Sequence, residues 1–446
     1  MDKIKTFFDF EANNGLFEIF DNHGLRPWEA VRYYVLSCVL SDNTTKNNKK
    51  IAAQTGLNFQ HKIKKVSAFI SHVIHHRKST FLFVLCSRDQ KNGVLYDKIS
   101  DSLYDRIDKK NCLTIETLDS YLSPNYKYGK DVAPDILGFI SRMVMSCFDF
   151  TEIYNQVKTH YPAANISLFK MNSCYKQFLC CYYFYKYLFK MCDIKKVFFV
   201  QNCIQKGLLA AANEKGITIC ELQHGQISYN HPAYSYPNSE KLKETMIYHP
   251  DYLLTFGKFW SKNRFYPGVK DIVLGNDSYA EKIKVCDTHS NKKLLVISNI
   301  KDGKLLAQRV DEVLETDSEF FFYFKLHPNQ YHEYKKYIKR FEGNKHVKVI
   351  SNQKSINELL NLCEGIFLTK STVELEALRL GRKVFVLMEQ DYEVMDYVLE
   401  ESGVYACKNV ESFLDLYEKH KNVQLAPRED LFEQFNEEIA KHVIYN

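Results

Sequence analysis

The stretch LLVISNIKDGKLLAQRVDEVLETDSEFFFYFKLHP, Leu294 to Pro328, decides the fold. It holds two short apolar runs, Leu294–Ser298 and Phe320–Leu326, on either side of a segment, Lys304–Glu315, whose apolar residues recur at helical spacing. Strand, helix and strand in about thirty-five residues make a βαβ unit, and a βαβ crossover implies parallel strands. The pattern continues downstream. Further strand-like runs stand at Val347–Ile350, Gly365–Thr369 and Lys383–Met388. Helical segments separate them at His332–Phe341, Ser355–Cys363 and Thr372–Leu380. The C-terminal part therefore reads as a doubly wound, Rossmann-like domain.

Upstream, a less regular α/β pattern has candidate strands at Phe81–Cys86, Lys196–Val200, Ile217–Glu221 and Tyr252–Thr255. The helical segment Ile204–Lys215 joins two of them, with Gly216 placed to end it. The first sixty residues read as a helical cap. The expected architecture is α/β with two Rossmann-like domains facing across a cleft, residues 1–270 and 271–446, and a linker within Tyr266–Ser290. Arg428–Ile444, with Pro427 before it, reads as an amphipathic helix that crosses back to the first domain.

Composition narrows the function classes. Lys+Arg 60 against Asp+Glu 54 gives a net charge of +6, too dilute over 446 residues for a nucleic-acid footprint, so no nucleic-acid partner is expected. Hydrophobic residues at 45% and charged residues at 26% place the chain among globular proteins. The 13 cysteines form no CxxC pair, and the N-terminus shows no basic-then-apolar leader, so a reduced, cytoplasmic protein is expected. Cys180–Met191 is apolar and tyrosine-rich but short and broken by Lys186 and Lys190; it suits a peripheral contact with a membrane and not a span.

Three loops carry candidate chemistry. Lys325-Leu326-His327-Pro328 ends a strand where an open α/β sheet presents its ligand edge, and an ammonium with an imidazole there suits a phosphate. Thr369-Lys370-Ser371-Thr372-Val373-Glu374 runs from strand into helix, with Ser371 as the expected N-cap and Glu374 closing a capping box. The N–H groups of that helix start also form an expected anion site, beside the hydroxyls of Ser371 and Thr372. Glu221-Leu222-Gln223-His224-Gly225 ends a strand of the first domain: His224 is the candidate general base, Glu221 a competing one, and Gly225 is expected to supply a positive φ and close approach for an acceptor. His231, Tyr234 and Tyr236 in the next loop are candidate acceptor contacts. Gly303, after the first C-terminal strand, is placed to let backbone approach a donor. No Walker A run, GxGxxG fingerprint or DxD pair is present, and His72, His75 and His76 lack a spaced cysteine or carboxylate. No cofactor and no metal is expected.

LQHG at 222–225, KLHP at 325–328 and STVELEAL at 371–378 together resemble the bacterial surface-polysaccharide glycosyltransferases of GT-B fold. The likeness extends to the capsule and lipopolysaccharide Kdo transferases, the HP-motif sialyltransferases and, more distantly, the CDP-glycerol polymerases. It covers mainly residues 196–400, and Gly24–Arg32 (GLRPWEAVR) is similar to a signature near the start of some of these enzymes. The resemblance implies that His327 and Pro328 bound a nucleotide phosphate site, that Ser371 and Thr372 hold the phosphate, that Glu374 lies near the ribose, and that His224 is the base. The paired-acid-then-glycine motif of the sialyltransferases has no counterpart here, which counts against sialic-acid transfer. The implied activity is metal-independent transfer of a sugar from a nucleotide donor, CMP- or CDP-linked in preference with UDP open, onto a capsule, O-antigen or lipooligosaccharide acceptor. The expected partners are thus a nucleotide-sugar and a glycan or glycolipid, at the cytoplasmic face of the inner membrane. A polyol-phosphate transferase of the CDP-glycerol type, a nucleotide-sugar epimerase and a non-catalytic scaffold of the same fold are the rival readings.

Overall fold

A computed structural model describes residues 3–40, 59–87, 89–91, 94–116, 125–126, 130–131, 148–229, 231–237, 248–261, 266–280, 292–388 and 398–445. The chain forms two compact units, one comprising Met1–Thr255, Arg264–Ser278 and Phe435–Asn446, the other Phe256–Asn263 and Tyr279–Gln434.

In the first unit the strands are β1 (Phe81–Leu85), β2 (Asp89–Lys91), β3 (Val94–Tyr96), β4 (Cys112–Glu116), β5 (Asn125–Tyr126), β6 (Lys130–Asp131), β7 (Lys196–Phe199), β8 (Thr218–Leu222), β9 (Tyr252–Thr255) and β10 (Lys270–Val273). Seven of them form a sheet in the order β10-β9-β8-β7-β1-β4-β6, with neighbouring strands parallel. β2, β3 and β5 make a separate small sheet. β10 lies within the stretch read as a linker. Its first two residues are exposed, so no apolar run marks it. Helices α1 (Lys3–Asn13), α2 (Pro27–Leu40), α3 (Phe59–His75), α4 (Thr151–His160), α5 (Leu168–Met191) and α6 (Lys206–Glu214) belong to the same unit. α6 lies close on α5: a Cβ on Gly207 would come within 2.6 Å of the Phe178 carbonyl and the Tyr182 nitrogen. Gly216 ends α6 with φ 64°, as its position implied.

The second unit holds β11 (Lys293–Ile297), α7 (Gly303–Thr316), β12 (Phe321–Lys325), α8 (Tyr334–Arg340), β13 (Val347–Ile350), α9 (Ile356–Leu360), β14 (Gly365–Leu368), α10 (Val373–Arg379), β15 (Lys383–Leu387), β16 (Val404–Cys407) and α11 (Val410–His420). Its six strands run parallel in the order β13-β12-β11-β14-β15-β16. The order reverses between β11 and β14, which is the switch point of a Rossmann-like sheet. Phe320, Phe322 and Phe324 are fully buried against Val310, Val313 and Phe413, each such ring contributing about 1.5–3 kcal/mol by leaving water. The chain is thus an α/β protein with two Rossmann-like sheets.

The final segment differs from expectation. Helix is confined to α12 (Glu437–Tyr445); Glu429–Leu431 forms only a 3-10 turn. Asn436, Ala440, Val443 and Ile444 pack with the first unit, where the Lys196 ammonium donates to the Val443 and Ile444 carbonyls at 2.6 and 3.4 Å. A buried cation at a helix C-terminus meets both the unsatisfied carbonyls and the negative end of the dipole.

Candidate functional site

Register builds the site in the second unit. Ile297 pairs with Lys325 and with Leu368, and Lys325 pairs with Ile350, so four adjacent strands end level. The loops that follow converge on a cavity of about 550 Å³ at the carboxyl edge of the sheet. Its lining includes Ser298, Lys325, His327, Pro328, Tyr331, Lys354, Ser355 and Ser371. Four of the residues singled out in the sequence therefore meet in one place: Lys325, His327, Pro328 and Ser371.

His327 opens the 3-10 turn Pro328–Glu333 as its N-cap. Its Nδ1 accepts the Asn329 N–H at 3.2 Å, while its own N–H donates to Gln330 Oε1 at 3.3 Å. Because Nδ1 is an acceptor, the proton of a neutral ring sits on Nε2, which makes that atom a donor. The side chain is exposed. Lys325 is buried, and its ammonium donates to the Ser351 carbonyl and, at 3.0 Å, to the Tyr331 hydroxyl. An ammonium has three donors, and these contacts take two.

The helix start after β14 departs from expectation. Thr372, not Ser371, occupies the cap position, with φ −62° and no side-chain capping bond. Ser371 Oγ accepts the Val373 N–H at 3.3 Å, and the Glu374 and Leu375 N–H groups donate to the Ser371 and Thr372 carbonyls. The first N–H groups of this seven-residue helix are thus engaged within their own turn, so the expected backbone anion site is not presented. What Ser371 retains for a ligand is its hydroxyl hydrogen. Thr372 is exposed and does not line the cavity. Glu374 is fully buried and accepts the Ser371 N–H at 2.8 Å, half of the capping box. Gly303 lies off the cavity as well: a Cβ there would meet Tyr337 Oη, Ser298 Oγ and Gln330 Nε2 within 2.7 Å, so close packing inside the protein is what requires the glycine.

In the first unit, β8 ends at Leu222 and the HG turn follows. His224 is half-buried and close to His231, whose pKa is pulled down to about 4 by burial and then by the charge on His224. His231 Nδ1 accepts the Ala233 N–H at 3.2 Å. Gly225 does not take a positive φ; its value is to leave the space over its Cα open, with nothing within 4 Å. Glu221 is fully buried and accepts from the Asn202 backbone and amide at 3.1 Å and from the Tyr234 and Tyr266 hydroxyls at 3.0 and 3.3 Å. Burial raises its pKa, and these donors pull in the opposite direction.

Tyr234 and Tyr236, expected to meet an acceptor, are buried at 1% and 3% exposure. Tyr234 serves Glu221. The Tyr236 ring lies 4.0 Å from the Arg32 guanidinium, which itself pairs with Glu11 through Nε at 2.6 Å and Nη2 at 2.9 Å. Trp28 Nε1 donates to the same carboxylate at 2.8 Å, so the GLRPWEAVR segment is part of a buried polar core. His249 sits beside it, buried, its ring 4.5 Å from Tyr236 and 4.6 Å from Tyr266, and neither nitrogen has a hydrogen-bond partner among the described residues. Burial, then the charges of Lys206 and Arg32, hold its pKa well below the ordinary 6.5.

Sequence reading missed Ser298, Tyr331, Lys354 and Ser355. The rule that flagged KLHP applies to the SNQKS segment at 351–355, which follows β13 on the same sheet edge. His72 and His75 bond to the Thr114 and Ser71 carbonyls. No metal-holding cluster of three or more His, Cys, Asp or Glu occurs among the described residues. Among those residues no helix is long and apolar enough to cross a membrane.

No family model matches the chain, and no curated protein matches it. Solved structures do. The UDP-GlcNAc 2-epimerase of Methanocaldococcus jannaschii, in complex with UDP-GlcNAc and UDP, is 17% identical with a TM-score of 0.47, over 82% of this chain and 99% of that one. The UDP-GlcNAc 2-epimerase of Neisseria meningitidis bound to UDP-GlcNAc is 15% identical with a TM-score of 0.48, over 82% and 100%. A lipopolysaccharide outer core galactosyltransferase in its apo form is 11% identical with a TM-score of 0.44, over 82% and 98%. Likeness of this degree assigns no chemistry to this chain.

Proposed function

We propose that this chain is a glycosyltransferase of GT-B type that takes a nucleotide-activated sugar in the second-unit cavity and passes the sugar to a capsule, O-antigen or lipooligosaccharide glycan. The observation that carries the reading is the cavity itself. Lys325, Lys354, the Nε2–H of His327 and the hydroxyl of Ser371 gather at the carboxyl edge of the sheet, while the Ser298 hydroxyl donates to Gln330 Oε1 at 3.0 Å and Glu358, the acidic residue in the lining, has its carboxylate taken up by the Ser355 N–H and hydroxyl at 2.8 Å. Donors of this kind suit a phosphate whose negative charge grows as the glycosidic bond breaks. In this reading His224 takes the proton from the acceptor hydroxyl, that oxygen bonds the anomeric carbon, and the nucleotide leaves with the bonding electrons. A cytidine nucleotide is the first candidate donor. The acceptor lies at the cytoplasmic face of the inner membrane.

Product analysis tests this. With CMP-, CDP- and UDP-sugars and a glycan primer, the product gains a sugar and no phosphorus, and His224→Ala lowers turnover by about 10²–10⁴-fold while donor affinity holds. Transfer of phosphorus to the primer identifies a polyol-phosphate transferase instead. Conversion of the donor without a primer identifies an epimerase. Binding and turnover absent throughout the panel leave the scaffold reading.

A further inference from the structure

The outer face of α5 has no role in the pocket chemistry. This 24-residue helix carries Lys170, Lys176, Lys186 and Lys190 and no acidic residue. Phe169, Lys176, Tyr183, Tyr187 and Lys190 follow one another at spacings of seven, seven, four and three, which sets them on one stripe. Phe169 is 82% exposed, Tyr187 59% and Met191 61%. The Lys190 ammonium lies 5.3 Å from the Tyr187 ring centre, whereas Lys186 leans the other way to Glu214 at 2.8 Å.

α3 extends this face. Phe69 packs on Phe184 with ring centres 5.9 Å apart, and Asp193 N–H donates to the Arg77 carbonyl at 2.9 Å, so the two helices run side by side to the same end. Ile70 and Ile74 then stand outward at 51% and 60% exposure, one turn apart, and Arg77 and Lys78 are exposed where the helix ends. Asp193 is the acidic group beside them.

We propose that this face, the outward stripe of α5 with Ile70 and Ile74 of α3, docks the protein on an anionic lipid surface. The order of residues along the stripe selects that partner. Lysines interrupt the aromatic positions, and the cores of protein interfaces are depleted of lysine. At a lipid surface the same lysines reach up to headgroup phosphates while tyrosine, phenylalanine and methionine enter the boundary below them. A convex helix face with cations throughout its length also complements a flat negative surface better than a groove-bearing partner. The inference stands on this face alone and does not depend on the nucleotide reading.

Vesicle co-sedimentation with the full chain tests it, using phosphatidylcholine vesicles with and without phosphatidylglycerol. The protein is expected to partition onto the anionic vesicles and to leave them as salt is raised. Each lysine near such a surface is worth about fivefold in partitioning, so Lys176→Gln/Lys190→Gln lowers binding by roughly 25-fold. Tyr187→Ser/Met191→Ser lowers it by about tenfold. Lys335→Gln/Lys339→Gln, on an exposed helix of the other unit, leaves it unchanged. Melting curves of all variants stay at the wild-type position, which separates lost docking from lost folding. Equal binding to both vesicle types, or double-lysine variant binding like wild type, overturns the proposal. So does a self-associated species in sedimentation velocity that Tyr187→Ser/Met191→Ser disperses, since a second copy would then cover the face.

Discussion

His327 separates a structural role from a binding role at a single ring. Nδ1 accepts the Asn329 N–H at 3.2 Å and so caps the turn; Nε2, on the far side, is the atom that the proposed function assigns to a phosphate oxygen. Asparagine places a carbonyl oxygen near the position of Nδ1 and nothing at Nε2. His327→Asn should therefore keep the cap and lose the donor. Loss of a cap costs about 1 kcal/mol, and loss of a hydrogen bond to a charged phosphate costs about 1.5–3 kcal/mol, or roughly 10- to 150-fold in Kd. His327→Asn is expected to melt within a degree or two of wild type while binding the cognate nucleoside mono- or diphosphate 10- to 150-fold more weakly by calorimetry. His327→Ala should show the same weakening together with a lower melting temperature. Wild-type affinity in His327→Asn would remove His327 from the phosphate site, because the one ring atom assigned to the ligand would then be idle.

Three further outcomes follow from the first unit. His249 is held neutral by folding; below pH 6.5 the unfolded chain binds a proton that the folded chain refuses, so stability is full above that pH and falls as the solution is acidified. The slope reaches about 1.4 kcal/mol per pH unit, and urea titrations of His249→Phe should show it reduced; His231 acts in the same direction between 6.5 and about 4. Arg32→Met strands the Glu11 carboxylate in the core and should lower unfolding free energy by about 3–5 kcal/mol, whereas Glu11→Gln/Arg32→Met should recover a part of this in denaturant melts. Lys196→Met removes the cation from the last carbonyls of α12, and hydrogen exchange of Ala440–Ile444 should quicken while that of β11–β14 stays as it was.

Legibility in the sequence followed burial. β12 sits mid-sheet with Phe322 and Phe324 sealed, so its apolar run announced it, and its level end placed KLHP on the ligand edge. β16 was missed because it is the outer strand, with Val404, Tyr405 and Ala406 in contact with water and no continuous run to mark it. β10 reads as linker for the same reason. β4 is fully buried, yet Thr114 and Glu116 break its run; Glu116 is tolerated because it accepts the Ser87 N–H at 3.1 Å. The site failed in a different manner. Residues 226–237 have the look of a solvated loop, but Tyr234 and Tyr236 are drawn inward by Glu221 and Arg32, and Arg32 lies about two hundred positions away. The shift of the cap from Ser371 to Thr372 is a one-residue difference in backbone geometry that residue types alone do not decide.

The proposed function requires the β11–β14 edge to be a nucleotide phosphate site. A structure of the chain soaked in turn with CMP, CDP, UDP and GDP measures that directly. Phosphate oxygens of one of these nucleotides are expected within hydrogen-bonding distance of His327 Nε2 and Ser371 Oγ. A nucleotide seated elsewhere, or a cavity that stays empty at saturating concentrations of all four, contradicts the proposed function.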